Sequence, residues 1–129
     1  MTLTVNKATA RSYFERFANF GDMAAADAIF APDVQFNYPL GGLSGVDAVK
    51  RYIQVVRTAF PDVRFTVEDL FGEGERIAAR WSMIGTQTGE FGGKPPTGKQ
   101  VTLPGNTVFH IHDGKIQEIW IAFNPSLLV

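Results

Sequence analysis

The sequence predicts an α+β fold in which three helices come first and pack on one face of a mostly antiparallel sheet. Two observations support this prediction. Apolar residues recur at helical spacing as far as residue 60, and from residue 63 onward the period of the apolar pattern changes from 3.6 to 2. No internal repeat or linker interrupts the 129 residues, so we expect a single domain spanning residues 1–129.

The first half of the chain contains three predicted helices and one short strand. The helices are predicted at residues 7–20, 23–30 and 45–60, and the strand is predicted at residues 34–38. The first helix carries an aromatic stripe that includes Tyr13 and Phe17, and Asp22 is placed to cap the second helix. Residues 41–43 are expected to form a loop, and Ser44 begins a capping-box pattern for the third helix.

The second half of the chain alternates with the period of a strand. Strands are predicted at residues 63–71, 76–88, 100–112 and 115–124. Residues 89–99 form a glycine-rich loop in which Gly93–Lys99 fits a phosphate-binding pattern. Two prolines inside that pattern and a strand after it argue against a phosphate site, because such a site needs free N–H groups at a helix N-terminus. We therefore interpret this segment as a rim loop over a pocket.

Composition excludes several classes of function. The formal net charge is −1 and no run of like charges occurs, so the chain offers no electrostatic surface for nucleic acid or for an anionic membrane. There is no cysteine, which excludes disulfides, thiol catalysis and thiolate metal sites. The N-terminus lacks an apolar signal region and no segment is long enough to span a membrane, so a cytoplasmic location is expected.

The hairpin around Asp113-Gly114 holds both histidines of the chain, and its register decides which side chains share a face. A strict two-residue loop pairs His112 with Lys115 and leaves His110 on the face of Ile119 and Ile121. A loop bulged at Gly114 instead puts His110 on one face with Trp120 and Asn124. The pattern alone leaves both registers open.

Several polar and aromatic residues are candidates for a site, each with a structural alternative. His110 has the right chemistry for a general acid or base, or it satisfies a hydrogen bond at the sheet surface. Trp120, Tyr13 and Tyr38 could line a cavity or fill the core. Arg80 interrupts an apolar strand, so it either pairs with a carboxylate such as Glu68 or Glu118 or anchors a ligand.

A metal site built from His110, His112 and Glu118 is a weaker alternative. His112 lies at the turn and the helical first half does not suit an all-β metal-binding barrel. No metal ligand and no cofactor are therefore expected.

An ordered series of short segments resembles the SnoaL-like polyketide cyclase family of the NTF2-like superfamily. The segments are Gly45-Val-Asp-Ala-Val, Phe60-Pro-Asp, Asp69-Leu, Arg80-Trp, Gly85-Thr-Gln-Thr-Gly-Glu-Phe, Pro95-Pro-Thr-Gly-Lys and Asp113-Gly-Lys-Ile-Gln-Glu-Ile-Trp. The resemblance extends from about Ala8 to Asn124. It implies an NTF2-like cone, in which three N-terminal helices pack on a curved, mostly antiparallel sheet, and by analogy a homodimer.

The resemblance also implies a function and a set of site residues. The family's histidine on the penultimate strand falls on His110, and its aspartate on the last strand falls on Asn124, which favours the register bulged at Gly114. We expect a cofactor-free cyclase, isomerase or lyase that acts by acid–base chemistry on an apolar, oxygenated ring or polyketide-like compound. His110 and Asn124 would be catalytic residues. The substrate-binding residues would be Trp120, Tyr13, Phe17, Tyr38 and Arg80.

Asn124 is a departure from the family pattern, because a carboxamide cannot accept a proton as a carboxylate does. It could still donate a hydrogen bond to a developing oxyanion. The alternative function is therefore a non-catalytic module on the same fold that binds a small ligand or forms a dimer.

Overall fold

The computed structural model describes residues 2–127, and in that range three helices precede the last four strands of a six-stranded sheet. The helices are α1 (Leu3–Ser12), which continues as a π-helical segment (Tyr13–Ala18), α2 (Met23–Ile29) and α3 (Val46–Ala59). The strands are β1 (Phe30–Tyr38), β2 (Gly41–Ser44), β3 (Arg64–Glu73), β4 (Arg76–Thr86), β5 (Gln100–His112) and β6 (Lys115–Phe123). A short 3₁₀ turn covers Pro125–Leu127. The predicted α+β fold is confirmed.

The sheet has the strand order β2-β1-β6-β5-β4-β3, and only the β1–β6 pair is parallel among the strands described. The helices cover one face, which we call the inner face, and the opposite face is called the outer face. Along β4 and β5 buried residues alternate with exposed ones, as expected for strands with one covered face. The core therefore lies between the inner face and the helices.

The first helix begins earlier than the pattern predicts, because Thr2 supplies its cap. The Thr2 hydroxyl accepts a hydrogen bond from the N–H of Val5 at 3.1 Å. The wider turns of the π-helical segment carry Tyr13, Phe14 and Phe17, all of them buried. The Asp22 cap of α2 is confirmed, since its carboxylate accepts from the N–H of Ala25 at 3.1 Å.

Two local predictions around α3 are wrong. Residues 41–43 belong to β2, which pairs with the end of β1, so the segment forms an edge strand rather than a loop. The Ser44 hydroxyl donates to the side-chain oxygen of Gln35 across the two strands at 2.9 Å, so it does not cap the helix. Gly45 precedes α3 with φ 90°, a backbone conformation that glycine adopts without steric cost.

The β5–β6 hairpin combines features of both predicted registers. Asp113 and Gly114 have φ values of 50° and 75°, as a two-residue turn of type I′ requires, and His112 pairs with Lys115. The register then shifts, so that Ile111 pairs with Ile116 but His110 pairs with Glu118. The prediction of a bulge at Gly114 is therefore wrong, because the extra residue is Gln117.

Candidate functional site

A narrow cavity lies between the inner face of the sheet and the helices, with about 520 Å³ of atom-free space including its open mouth. Its wall is made almost entirely of apolar and aromatic side chains. The helical side contributes Tyr13, Phe14, Tyr52, Ile53, Val56 and Phe60, the sheet contributes Phe65, Trp81, Met83, Leu103, Thr107, Ile121 and Phe123, and the loop after β4 contributes Phe91. A concave apolar pocket with few polar groups is typical of a small-molecule site.

The phenols of Tyr13 and Tyr52 are the principal polar groups of this cavity. Within residues 2–127 neither hydroxyl has a hydrogen-bond partner, although Tyr13 is only 5% exposed. Burial raises the pKa of each phenol above its ordinary value, and the neighbouring phenol adds to the effect, Tyr52 for Tyr13 and Tyr38 for Tyr52. Both groups are therefore neutral near pH 7 and present O–H donors.

The other polar groups on the wall already satisfy each other. The indole N–H of Trp81 donates to the hydroxyl of Thr107 at 2.8 Å, and both residues are buried. This bond links β4 to β5 across the floor of the cavity and fixes the orientation of the Trp81 ring. Gly105 supports the same arrangement, since a Cβ at that position would overlap the ring. Trp81 is thus a rigid floor residue.

Three of the residues predicted to bind substrate lie on the helical side or near it. Tyr13 lines the cavity. Phe17 is fully buried behind it, where its ring packs edge-on against Phe30 with centroids 5.3 Å apart, so it supports the wall without forming its surface. Tyr38 packs against Tyr52 at 5.0 Å and lies outside the lining set.

The predicted placement of His110 and Asn124 in the cavity is wrong. The Gln117 bulge does put His110 on the same face as Trp120. That face is the outer one, because the paired residues Phe109 and Ile119, next to them along the strands, are fully buried on the inner face. His110 Nε2 lies 3.2 Å from the Glu75 carboxylate. The side-chain oxygen of Asn124 accepts hydrogen bonds from the N–H and the hydroxyl of Ser126.

Trp120 and Arg80 also lie on the outer face, away from the cavity. Trp120 is 38% exposed, and the guanidinium carbon of Arg76 lies 5.2 Å from its ring centroid. Arg80 Nε lies 2.7 Å from the carboxylate of Asp69. Arg80 therefore pairs with a carboxylate, which is one of its two predicted roles, but the partner is neither Glu68 nor Glu118. Arg80 and Asn124 border the same shallow groove of the outer face.

The two histidines of the chain form one cluster with Glu75 at the edge of the outer face. His112 Nδ1 lies 2.7 Å from Glu75, so one carboxylate joins both imidazoles to the turn between β3 and β4. Among residues 2–127 no three His, Asp or Glu side chains are arranged to hold a metal ion.

Tyr52, Trp81, Thr107 and Phe91 are wall residues that were not predicted as site residues. Tyr52 belongs to the apolar face of α3, and in sequence a phenol on such a face looks like any other core residue. Trp81 and Thr107 follow the inward parity of their strands, which could have identified them. Phe91 carries no local signal, because nothing in a glycine-rich loop indicates which side chain turns inward.

A six-stranded curved sheet with three helices over an apolar cavity defines the NTF2-like cone. The protein-family model described as SnoaL-like polyketide cyclase matches residues 8–128, and the chain belongs to that family. The predicted family resemblance is thereby confirmed. A search of curated protein sequences gives no match.

Solved structures agree with the fold. A proposed SnoaL-like polyketide cyclase from Jannaschia sp. CCS1 is similar with TM-score 0.89 and 23% identity, over 97% of this chain and 89% of that one. IdmH from Streptomyces antibioticus, a proposed polyketide cyclase, has TM-score 0.82 and 26% identity over 95% and 94% of the two chains. AclR from Streptomyces galilaeus, a proposed hydroxylase, has TM-score 0.84 and 24% identity over 98% and 94%. No helix within residues 2–127 has the length and apolar character to cross a bilayer.

Proposed function

We propose that the protein is a small-molecule enzyme of the SnoaL-like type that binds an apolar, oxygenated ring compound in the inner cavity. The observation that carries this proposal is the pair of phenols, Tyr13 and Tyr52, whose hydroxyls lack a protein partner in an otherwise apolar space. A ligand carbonyl or enol oxygen would accept a hydrogen bond from them, while its rings contact the aromatic wall.

The chemistry that this arrangement supports is stabilisation of negative charge on a ligand oxygen. When a carbonyl compound enolises or closes a ring, charge develops on that oxygen, and neutral donors fixed in a largely apolar cavity stabilise it. Among the described residues no carboxylate and no imidazole lines the cavity, so in this proposal the proton passes to a basic group of the ligand or to hydroxide that enters through the open mouth and becomes water. Cyclisation or isomerisation of a polyketide-like compound fits these requirements.

The same observation favours a second candidate function, the binding of a small ligand without turnover. Enolisation is usually assisted by a positioned general base, which contributes about 10²–10⁴-fold to the rate. The cavity wall lacks such a group in the part of the chain that the structure covers. The two candidates share the ligand and differ only in whether a C–H bond is broken.

The binding site is tested by fluorescence of Trp81, in a Trp120→Phe background so that the outer tryptophan does not contribute. Binding of 1,8-dihydroxyanthraquinone is compared with that of anthracene. We expect Tyr13→Phe and Tyr52→Phe each to weaken binding of the quinone by about tenfold and to leave anthracene unchanged, since each removes one hydrogen bond. Tyr38→Phe is the matched control and should have no effect. Equal losses for both ligands would contradict the role of the hydroxyls.

Turnover is tested with 1-tetralone in D₂O, because exchange of its α-protons requires the enolate. The proposed enzyme accelerates the exchange over buffer, and Tyr13→Phe removes the acceleration. Binding of tetralone without any acceleration would select the second candidate.

We propose further that the chain forms a homodimer through the outer face. An apolar row crosses four strands there: Phe71 pairs with Ala78, Ala78 with Val108, and Val108 with Trp120. Phe71 is 61% exposed and Val108 and Trp120 are 38% exposed. A contiguous apolar row on a sheet face is typical of an interface.

A further inference from the structure

Phe91 is the one cavity-lining residue, among those described, that comes from a long loop. It is 6% exposed although most of its loop neighbours are exposed. Its ring packs against Phe60 at the end of α3, with centroids 5.6 Å apart. The loop between β4 and β5 therefore sends a single aromatic ring into the wall.

The base of this loop is firmly held. Gln87, which is 3% exposed, donates hydrogen bonds from its side chain to the carbonyl oxygens of Gly89 and Pro95, and it accepts one from the hydroxyl of Thr97. The N–H groups of Thr88 and Gly89 also donate to Ala59 at the end of α3. These bonds tie the loop to the body of the protein on both sides of Phe91.

The tip of the loop is built differently. Gly92 and Gly93 have φ values of 59° and 79°, and a Cβ at either position would meet nothing within 4 Å. Phe91 and Lys94 close this turn with two backbone hydrogen bonds, at 3.1 and 2.9 Å. Phe91 thus lies between the hydrogen-bonded base of the loop and its glycine-rich tip. Its ring is the part of the tip that contacts the cavity.

The loop lies at one end of the cavity. It connects the end of β4 to the start of β5, and at that end of the sheet Phe65 pairs with Met83 and Phe123 pairs with Gly105. Phe65 and Phe123 are half-buried lining residues at that end, and the buried Phe60 lies against Phe91 there. Phe91 therefore closes the wall at the end of the cavity where this loop meets the end of α3.

We propose that Phe91 is the residue that sets the size of ligand the cavity accepts, because its ring closes the end of the cavity beside the β4–β5 loop. The proposal rests on the proposed function of the cavity as a ligand site. The ring occupies space that a longer fused-ring compound would need, so smaller side chains at this position should admit longer ligands.

The test compares binding of 1,4-naphthoquinone, 9,10-anthraquinone and 5,12-tetracenequinone, again followed by Trp81 fluorescence in the Trp120→Phe background. We expect Phe91→Ala to raise the ratio of tetracenequinone to naphthoquinone affinity by about tenfold or more, which is the discrimination that a hydrophobic pocket achieves by shape. Phe91→Leu keeps an apolar side chain and should give an intermediate ratio. The exposed Phe20, which lies outside both the cavity lining and the apolar row of the outer face, supplies the matched control, and Phe20→Ala should leave the ratio unchanged.

A second measurement needs no bound ligand. If the Phe91 ring closes the cavity, its removal exposes Trp81 to solvent, so quenching of Trp81 by acrylamide should increase at least twofold in Phe91→Ala and not in Phe20→Ala. Circular dichroism shows that each variant is folded. An unchanged affinity ratio in folded Phe91→Ala overturns the size role, and so does unchanged quenching.

The two proposals fail in different ways. Quinone binding that does not depend on Tyr13 counts against the proposed function, whereas Tyr13-dependent binding with an unchanged ring preference counts against the role of Phe91. Increased quenching without any quinone binding keeps Phe91 as the closing residue and rejects oxygenated ring compounds as ligands.

Discussion

The two faces of the β5–β6 hairpin differ in chemistry and in position. The outer face carries the groups that attract attention in a sequence, His110, Glu118 and Trp120, and all of them are half-buried or exposed. The inner face carries Phe109 and Ile119, which are fully buried and appear unremarkable in a sequence. The cavity is on the inner side.

One extra residue decides this assignment. Side chains alternate along a strand, so a single unpaired residue reverses which side chains of the partner strand share a face. Gln117 is that residue. Because it is unpaired, His110 and Trp120 lie on the same face of the hairpin. Titratable side chains on a strand therefore identify a site only when it is known which alternate residues of that strand face the core.

The largest expected effect tests the two faces directly. Phe109 is fully buried and its ring lies 5.5 Å from Tyr13 and 5.9 Å from Phe14. We expect Phe109→Ala to lower the free energy of unfolding by about 3–5 kcal/mol, because it leaves a cavity in the core. Its strand neighbour Val108, on the outer face, is the control, and Val108→Ala should cost about 0.5 kcal/mol or less. Urea unfolding at one protein concentration measures both, and equal losses would contradict the assignment of faces.

The fold could be predicted from the sequence because it depends on the spacing at which apolar residues recur along helices and strands. Helical spacing in residues 45–60 and alternation in residues 100–112 are properties of many residues at once, so one misjudged position changes little. The bounds of β5 agree with the prediction residue for residue. Segments with few residues, such as Gly41–Ser44, gave no period and were assigned wrongly.

The site was harder to predict because it depends on single positions. Tyr13 was identified, since its helix shows an aromatic stripe, but Tyr52 and Phe91 were not. The family pattern points to His110, but a sequence motif carries no information on which face of the sheet its residues occupy. That information lies in the bulge at Gln117, whose position no turn residue signals.

The second prediction tests whether the outer face is an interface. Trp120 lies in the apolar row, and tryptophans in such positions contribute strongly to association. We expect Trp120→Glu to weaken the proposed homodimer at least thirtyfold, measured by sedimentation equilibrium. Phe20, which is 77% exposed near the end of the first helix, is the matched control, and Phe20→Glu should leave the dimer intact. A wild-type chain that is monomeric at 100 μM, roughly, would reject the interface.

The smallest expected effect concerns the histidine cluster of the outer face. The hydrogen bond with Glu75 raises the pKa of His112 above its ordinary value of 6.5, and the charges of Asp113 and Glu75 add to this. Hydrogen bonds from His112 and His110 lower the pKa of Glu75 below its ordinary 4.5.

The two shifts define a window of pH for the stabilisation. The contribution of His112 is complete below pH 6.5 and is lost as the pH rises through its raised pKa, whereas that of Glu75 is complete above pH 4.5 and is lost as the pH falls through its lowered pKa. Both are present between these values. Since the groups are exposed, the gain is small and salt weakens it.

The pKa of His112 is therefore a better measure of this cluster than stability is. We expect Glu75→Gln to lower the pKa of His112 toward 6.5. An NMR titration that follows the imidazole proton resonances measures this pKa. Glu73→Gln, at the neighbouring end of β3, should leave the pKa unchanged. If the His112 pKa is the same in Glu75→Gln as in the wild type, the carboxylate does not hold the imidazole, and the outer face has no ordered polar cluster at this edge. A lowered pKa with unchanged ligand binding in the same variant would show that this cluster acts independently of the cavity on the other side of the sheet.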